Sequence, residues 1–261
     1  PPRPPITAHR PRFRYTSFMR VLLLTDIHAN LVALEAVLAD AEGQWERLWF
    51  LGDLVGYGPQ PNECVERLRA LEPLALSGNH DWAVLGKLDD ADFNSEARYV
   101  ARWTGRVLTA DNRAYLNTLP PLRVEPPFTL AHASPRHPVW EYILDLPTAL
   151  ANFDHFETPY CLVGHTHVPA VFALDEASGG VDFALIEHGD VLDLSRHRLI
   201  VNPGGVGQPR DGDPRAAYAL LDTEAMRMTF HRVAYDIAAT QALMREQKLP
   251  RRLIKRLEQG L

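Results

Sequence analysis

The sequence predicts one large α/β domain whose core is a layered, partly parallel β-sheet. Between residues 21 and 79, short apolar runs typical of buried strands alternate with amphipathic segments typical of helices, and this order favours parallel pairing. In the second half of the chain the strand signals are separated by turns, so that half is mostly β. A chain of 261 residues can bury one substantial core, and we assign residues 19–240 to this domain.

The first half contains three strand signals, each followed by a polar loop. Residues 21–24 form a fully apolar run, and the apolar residues within 31–41 then recur at helical spacing. Residues 48–51 repeat this pattern, and Pro61 suits the first turn of the next helix, where its missing N–H is not needed. A third buried strand is predicted at 74–76.

The next segments change from helical to strand patterns. Residues 84–120 show helical spacing without a clear strand, and we interpret them as an inserted helical cap. Further apolar runs are predicted strands, at 128–131, 160–163, 171–174, 199–201 and 218–221. Met226, Met228 and Phe230 alternate with polar residues, which is typical of a half-exposed antiparallel strand.

The two ends of the chain differ from the central domain. Residues 1–18 combine prolines and arginines without an acidic residue, and we interpret them as a disordered extension before Met19. A basic arm that contacts nucleic acid is the alternative interpretation. At the other end a helix is predicted over 237–257, and residues 241–261 are assigned to a C-terminal helical segment.

Composition excludes several classes of protein. Apolar residues make up 46% and charged residues 23% of the chain, as in ordinary globular proteins. The formal net charge of −6 gives no general attraction to nucleic acid or to an anionic membrane, so an anionic substrate needs a local source of positive potential. No apolar run approaches the roughly 18 residues of a membrane helix. Cys64 and Cys161 form no CxxC pair, which favours a reduced, cytoplasmic protein.

Five short polar blocks directly follow predicted strands. They are Asp26-Ile27-His28, Gly52-Asp53, Gly78-Asn79-His80-Asp81, His132 and Gly164-His165-Thr166-His167. Side chains at the carboxyl ends of strands in an α/β sheet lie along one edge, so we expect these blocks to meet. A lone histidine is usually a surface or core residue, but five histidines that accompany carboxylates and an amide indicate a metal site. Oxygen and nitrogen ligands without a thiolate suit Mn²⁺, Fe, Zn²⁺ or Mg²⁺.

In this order the blocks resemble the signature of the calcineurin-like metallophosphoesterase family, D-x-H, G-D, G-N-H-D, H and G-H-x-H. The resemblance covers about residues 20–210 and is strongest to small bacterial members, which resemble diadenosine-polyphosphate hydrolases and phosphodiesterases. It implies a four-layer α/β fold in which two facing mixed sheets are flanked by helices and covered by a helical cap. The chain departs from many relatives at Ala29, where they place glycine, and this difference concerns the local backbone angle and no ligand.

The same resemblance implies a centre with two divalent metal ions. Asp26, His28 and His167 would hold the first ion, Asn79, His132 and His165 would hold the second, and Asp53 would bridge them. Mn²⁺ is the ion expected to support activity in vitro, with Fe, Zn²⁺ and Mg²⁺ as alternatives. A hydroxide that bridges the ions would attack phosphorus while both ions neutralise the developing charge.

Four further residues are candidates for catalysis or substrate binding. The resemblance implies that His80 protonates the leaving oxygen, and Asp81 beside it would orient the imidazole. Asn30 is either the N-cap of a helix or a contact to a phosphate oxygen. Arg210 follows an Asn-Pro-Gly turn and suits a phosphate oxygen pair. Aromatic residues near the blocks belong to the core, although one or two could stack on a nucleobase.

Hydrolysis of a phosphodiester or phosphoanhydride in a nucleotide-like small molecule is the predicted function. Because Arg210 is the one arginine candidate near the motifs, a diester is favoured over a monoester. A protein or small-molecule phosphomonoesterase is the alternative, and a non-catalytic metal-binding scaffold is an alternative of another class. The negative net charge argues against nucleic acid as a partner and against a DNA nuclease. The oligomeric state stays open, a homo-oligomer included.

Overall fold

Two mixed β-sheets of six strands each face one another at the centre of the molecule. The computed structural model describes residues 19–89, 91, 93–195 and 198–261. The predicted extension, residues 1–18, lies outside these described residues. Helices cover the outer face of each sheet, and this confirms the four-layer α/β fold that the family resemblance implied.

The described residues form twelve strands. In chain order these are β1 (Arg20–Leu24), β2 (Arg47–Phe50), β3 (Leu74–Ala75), β4 (Leu122–Glu125), β5 (Phe128–Ala131), β6 (Tyr160–Leu162), β7 (Ala170–Asp175), β8 (Gly180–Leu185), β9 (Val191–Asp193), β10 (Arg198–Asn202), β11 (Ala216–Asp222) and β12 (Arg227–Val233). The first sheet has the order β3-β2-β1-β11-β12-β9, and the second has the order β4-β5-β6-β10-β7-β8. Strands β1 to β3 run parallel in the first sheet, as do β5, β6 and β10 in the second.

The described residues also form eight helices. They are α1 (Leu31–Asp40), α2 (Pro61–Arg69), α3 (Asn79–Leu85), α4 (Ser95–Val107), α5 (Ala110–Thr118), α6 (Leu146–Phe153), α7 (Ile237–Glu246) and α8 (Arg251–Arg256). Helix α2 begins at Pro61, as predicted. Within the part of the chain that the structure describes, we find no helix both long enough and apolar enough to cross a membrane.

Strand β1 shows why the central strands are apolar without alternation. Val21 and Leu23 pack in the core between the two sheets, whereas Leu22 and Leu24 pack in the core that contains the helices. Both faces of the strand are therefore buried, as is usual for strands between layers. Burial of one such side chain contributes about 1.5–3 kcal/mol to folding, so the strand ends from which the site loops start are firmly held.

The predicted cap, residues 84–120, forms α4 and α5 but belongs to the helix layer of the first sheet. Ala101 of α4 and Leu116 of α5 pack in the same core as α1 and α2. The segment reaches the predicted site through Phe93, whose ring centroid lies 4.9 Å from that of His80. The periodicity thus predicted helices correctly, and their apolar faces pack into the helix layer beside α1 and α2.

The C-terminal helical segment differs from its prediction in two respects. It consists of two helices, because the chain turns at Lys248, where φ is +56°, and α8 begins only after Pro250. The domain boundary predicted at residue 240 falls inside α7, which begins at Ile237. This segment therefore packs as part of the main domain.

Candidate metal centre

The polar blocks meet at the carboxyl ends of the central strands. The loops after β1, β2, β5 and β6 and the first turn of α3 carry the predicted ligands Asp26, His28, Asp53, His132, His165, His167 and Asn79. Each of these residues is at most 3% exposed. The residues that the sequence predicted as ligands therefore lie together in one buried polar cluster.

Two carboxylates lie between the histidines of this cluster. Asp53 Oδ2 lies 3.6 Å from His28 Nε2 and 3.5 Å from His132 Nε2. Asp26 Oδ1 lies 3.2 Å from His167 Nε2 and 3.7 Å from His28 Nε2. In three groups the candidate ligand atoms all lie within 4.8 Å of one another, namely Asp26-His28-His167, Asp53-His132-His165 and His28-Asp53-His80. Asp53 and His28 each belong to two of these groups, and of the two the carboxylate of Asp53, with its several lone pairs, suits a shared ligand.

Backbone carbonyl groups fix the orientation of the histidine rings. His28 Nδ1 lies 3.2 Å from Val55 O, and His132 Nδ1 lies 2.9 Å from Leu51 O. His167 Nδ1 lies 2.5 Å from Gln208 O. A carbonyl oxygen accepts only, so in the neutral ring Nδ1 carries the proton and the Nε2 lone pair points into the cluster. His165 is reversed, since its Nε2 lies 3.2 Å from Trp140 O, and Nδ1 is left for the centre.

The backbone of the cluster is strained where ligands are presented. Five of the predicted ligands have positive φ, between +48° and +65°: Asp26, His28, Asp53, His165 and His167. Only a few per cent of non-glycine residues adopt this region. Such strain costs roughly 1–3 kcal/mol per residue and concentrates at functional sites. Its recurrence at these five positions therefore supports a functional cluster.

Two glycines of the blocks leave room for the acidic side chains. A Cβ atom at Gly78 would lie 2.1 Å from Asp53 Oδ1, and one at Gly164 would lie 2.9 Å from Asp26 Oδ2 and 2.0 Å from Thr25 Oγ1. Any larger residue would displace the carboxylates. Steric exclusion of a Cβ atom therefore explains why glycine occupies these positions in the G-N-H-D and G-H-x-H blocks.

The donor set of the cluster fits divalent cations. The buried oxygens Asp26 Oδ1 and Asp53 Oδ2 have no hydrogen-bond partner in the described ranges of the chain. His28 Nε2 and His167 Nε2 lie 3.1 Å apart although both are oriented as acceptors. A buried carboxylate oxygen without a donor is costly, and a cation removes that cost. Converging oxygen and imidazole acceptors are the ligands of Mn²⁺, Zn²⁺ or Fe.

Protons and charges within the cluster are coupled. Burial would raise the pKa of Asp53, but the nearby imidazoles of His132 and His80 hold it well below its usual range. Burial disfavours the charged form of His132, yet the carboxylate of Asp53 raises the pKa of this histidine to about 9. In the metal-free protein the carboxylate of Asp53 thus favours the protonated form of His132. A divalent cation would displace this proton, because metal ligands must be deprotonated.

Asp81 contacts the backbone instead of the ring of His80. Its carboxylate accepts hydrogen bonds from the N–H groups of Asp53, Val55 and Gly78 at 3.0, 3.1 and 2.9 Å. The predicted orienting contact to His80 is absent, since His80 Nδ1 has no hydrogen-bond partner among the described residues. Burial and the neighbouring Asp53 raise the pKa of Asp81 to about 7. Asp81 thus holds the loop that presents Asp53.

His80 lies against the predicted metal ligand His28 and has no hydrogen-bond partner at Nδ1 among the described residues. Its ring centroid is 4.9 Å from that of His28 and 4.3 Å from that of Tyr57. A Cβ at Gly56, where φ is +95°, would lie 2.6 Å from His80 Nδ1, so the glycine makes room for the ring. Burial lowers the pKa of His80 to about 4, and the ring is therefore neutral at pH 7 in the free protein. A neutral imidazole still has one N–H to donate.

Both polar atoms of the Asn30 side-chain amide form hydrogen bonds within the folded chain. Its Oδ1 accepts from the Ala33 N–H at 3.2 Å, as the N-cap of α1, and from the Thr240 hydroxyl at 3.0 Å. Its Nδ2 donates to Gly207 O at 3.0 Å. The N-cap role is therefore observed, and the contact to a phosphate oxygen stays a prediction.

Arg210 and two tyrosines form the rim of the centre. The Arg210 guanidinium lies 5.7 Å from the centroid of the Tyr57 ring, and its Nη2 donates to Gln208 Oε1 at 3.2 Å. Arg210 Nε is buried and has no hydrogen-bond partner in the described chain. Tyr142 stacks on His165 with ring centroids 3.8 Å apart. Both tyrosines were predicted only as aromatic residues near the blocks, in the core or stacked on a nucleobase, and proximity to the blocks was their one available signal.

Tyr142 and Trp140 are presented by a loop whose anchor is Glu141. The Glu141 carboxylate accepts from Ser134 Oγ at 2.7 Å, from Asn152 Nδ2 at 2.8 Å and from the Arg136 guanidinium. Burial would raise the pKa of Glu141, but these hydrogen bonds hold it at about 2. Glu141 could not be predicted from the sequence, because an acidic residue outside the five blocks has no distinguishing pattern.

We expect Glu141→Gln to destabilise the protein by roughly 1–3 kcal/mol, because the amide cannot replace the charge-assisted bonds. The pKa is depressed in the folded protein, so the stabilisation is present above the ordinary value of 4.5 and is lost as the pH falls towards about 2. Urea unfolding of both proteins at pH 7 and pH 3 measures this difference. The exposed Glu157→Gln is the control, and an equal loss of stability in both variants would contradict the anchor.

Comparison with known proteins places the fold and the cluster in one family. The family model described as the calcineurin-like phosphoesterase superfamily domain matches residues 19–226, a range that includes all seven predicted ligands. The chain belongs to this superfamily. It is therefore a phosphoesterase by family, as the order of the blocks predicted. Ala29, for which the sequence predicted a change in the local backbone angle only, has φ of +52°, a conformation that glycine adopts more readily than alanine.

Two of the three relatives below cover nearly the whole chain, and the third covers about a third of it. A metallophosphoesterase of Sphaerobacter thermophilus, whose structure is solved, is 52% identical, with 94% of this chain and 100% of that chain covered and a TM-score of 0.86. An uncharacterized protein of Methanocaldococcus jannaschii is 36% identical over 247 residues, which is 92% of this chain and 98% of that protein. A symmetrical bis(5'-nucleosyl)-tetraphosphatase of Aromatoleum aromaticum is 36% identical over 94 residues, 34% of this chain and 33% of that protein.

Proposed function

We propose that the chain hydrolyses a phosphodiester or phosphoanhydride bond in a nucleotide-like molecule with two divalent cations. The observation that carries the proposal is Asp53 Oδ2, a buried oxygen without a hydrogen-bond partner in the described residues, 3.6 Å from His28 and 3.5 Å from His132. One ion would be held by Asp26, His28 and His167 and the other by Asn79, His132 and His165, with Asp53 shared. The partial similarity to a tetraphosphatase supports a nucleotide-like substrate.

Two protein side chains, His80 and Arg210, would complement the cations in catalysis and substrate binding. Two bound cations would supply a water molecule of lowered pKa and positive charge opposite the reacting phosphoryl group. His80 would donate a proton to the leaving oxygen, and its position beside the candidate ligand His28, with ring centroids 4.9 Å apart, supports this role. Because burial lowers the pKa of His80, its charged form depends on the negative charge of a bound substrate. Arg210 at the rim would bind a phosphate oxygen pair.

A phosphomonoesterase is the second candidate, and one observation favours it. The diester prediction depended on a single arginine near the motifs. In the structure Arg256 also lies beside the rim, close enough to Arg210 to lower the pKa of Arg256 together with burial. More cations at the mouth of a site favour more highly charged substrates. The choice between the two candidates therefore depends on a direct comparison of substrates.

Metal-stripped protein reconstituted with Mn²⁺ is expected to cleave a bis-aryl phosphate, a cyclic nucleotide or a dinucleoside tetraphosphate with higher kcat/KM than the matching monoesters. The measurement is initial rates near neutral pH, and the control is the same protein without added metal. If the aryl monophosphate is cleaved at least about tenfold more efficiently than the bis-aryl phosphate, the protein is a phosphomonoesterase. Equal rates with and without metal would contradict the metal dependence.

A further inference from the structure

A basic pocket of about 930 Å³ adjoins the candidate metal centre. Its inner wall consists of Tyr57 and Tyr142, which contact the centre, and of Arg210, whose guanidinium lies over the Tyr57 ring. The ring of Tyr57 lies against His28 and that of Tyr142 lies against His165. A ligand in this pocket would therefore be separated from the metal ligands only by these rim side chains, and it could belong to the same molecule as the reacting phosphoryl group.

The outer wall of the pocket is one face of helix α8. Four cationic side chains of this helix line it, Arg251, Arg252, Lys255 and Arg256. They form two pairs four residues apart, and residues at this spacing share a helix face. The opposite face of α8 is apolar and packs through Leu253 and Ile254 in the cluster that contains α4. Apolar packing thus fixes the helix so that its cations face the pocket.

The positive charge of the pocket is largely unbalanced by protein groups. Five cationic side chains line it, with Arg210 included, and Glu96 is the one acidic side chain among the lining residues of the described chain. Glu96 lies 3.9 Å from Arg252, a distance typical of a weak surface pair. The Arg256 guanidinium donates to the main-chain oxygen of Leu261, and Arg210 Nε is buried without a partner in the described residues. This local excess stands out in a chain of net charge −6.

We infer that the α8 pocket binds a second phosphoryl group of the substrate while the first lies at the metal centre. The inference rests on the proposed function, and it adds that the preferred substrate carries at least two phosphoryl groups joined by a short chain, as in a polyphosphate or a bisphosphorylated nucleotide. Guanidinium groups bind phosphate oxygens in pairs, and several around one cavity suit a polyanion better than a single phosphate. Tyr57 and Tyr142 lie between the two positions, and their rings offer faces on which an apolar or nucleoside part could stack.

A binding experiment on metal-stripped protein isolates the pocket from catalysis. Inorganic tripolyphosphate is the probe, and its affinity is measured by titration calorimetry at low ionic strength. The double variant Arg252→Gln/Lys255→Gln removes two exposed cations without disturbing the packed face of α8. We expect its affinity for tripolyphosphate to fall by about tenfold or more, since each charge-assisted bond contributes appreciably. Added salt is expected to weaken binding to the wild-type protein as well.

The double variant Arg245→Gln/Lys248→Gln is the matched control. It makes the same change in net charge on exposed residues outside the pocket, and we expect it to bind tripolyphosphate like the wild type. Equal weakening in both double variants would overturn the inference, because it would show a general charge effect. Failure of the wild type to bind tripolyphosphate would also overturn the inference. The same holds if the α8 variant loses binding of a single-stranded oligonucleotide but keeps binding of tripolyphosphate, because the pocket would then be a nucleic-acid site.

An activity comparison separates this inference from the proposed function. With Mn²⁺, the α8 double variant is expected to lose about tenfold more kcat/KM on a dinucleoside tetraphosphate than on a bis-aryl phosphate, mainly through KM. Equal losses on the two substrates would contradict the second subsite while leaving the phosphoesterase intact. If no substrate is hydrolysed but tripolyphosphate still binds through α8, the proposed function fails and the anion pocket stands.

Discussion

Replacing Asp53 with asparagine is expected to empty both halves of the metal centre and to reduce turnover by roughly 10³-fold or more. Asp53 Oδ2 is close to His28 and to His132, so its charge serves ligands of both groups. An amide oxygen can still accept the His80 N–H bond that Asp53 Oδ1 accepts at 2.9 Å, so the loop is expected to remain folded. The loss should therefore reflect the missing charge and not a collapsed site.

Elemental analysis of the Asp53→Asn protein after incubation with Mn²⁺ measures this loss directly. Asp182→Asn is a suitable control, because Asp182 lies exposed on β8 and the substitution changes the net charge equally. Circular dichroism and thermal unfolding establish that both variants are folded. Full double occupancy in the Asp53 variant would contradict the bridging role, and loss of a single ion would restrict Asp53 to one of the two groups.

Burial explains which strands could be predicted from the sequence. The predicted strands at the centre of each sheet are found, because both of their faces are covered and the sequence there is continuously apolar. β4, β8 and β9 were not predicted. β8 is largely exposed, with Phe183 and Leu185 at the surface, and β9 is three residues long. Edge strands of this kind lack the apolar signal, since pairing in the folded sheet defines them.

The residues of the site also differ in how far the sequence could predict them. Those recognised by local spacing were predicted, whereas those whose role depends on tertiary contacts were not. The ligand blocks were predictable because strand ends in parallel sheets converge, and the spacing within each block is local. The role of Asp81 could not be predicted from the sequence. Its hydrogen-bond partners are backbone N–H groups of the Asp53 loop, and only the folded loop brings them to its carboxylate. The cations of α8 lie about 40 residues after Arg210 and look like a solvated helix face, which is the usual meaning of such a pattern.

His80→Asn is expected to keep both metal ions and to lower kcat by roughly 10² to 10⁴, the usual contribution of a positioned acid. Asparagine fills part of the space of the ring and can donate a hydrogen bond, but it cannot transfer a proton. The loss should depend on the leaving group. A substrate that releases an alkoxide needs the proton more than one that releases a nitrophenolate, so the nitrophenyl ester should lose less activity.

The geometry also offers a rival role for His80, and the same variant separates the two. Candidate ligand atoms of His80, His28 and Asp53 lie within 4.8 Å of one another, so the ring is close enough to bind a metal itself. If His80 is a ligand, His80→Asn loses metal, and saturating Mn²⁺ restores much of the activity on every substrate alike. If His80 is the acid, metal content stays at the wild-type value, added Mn²⁺ restores nothing, and the alkoxide substrate loses most. The exposed His155→Asn, which removes an imidazole away from the centre, should match the wild type in all three measurements.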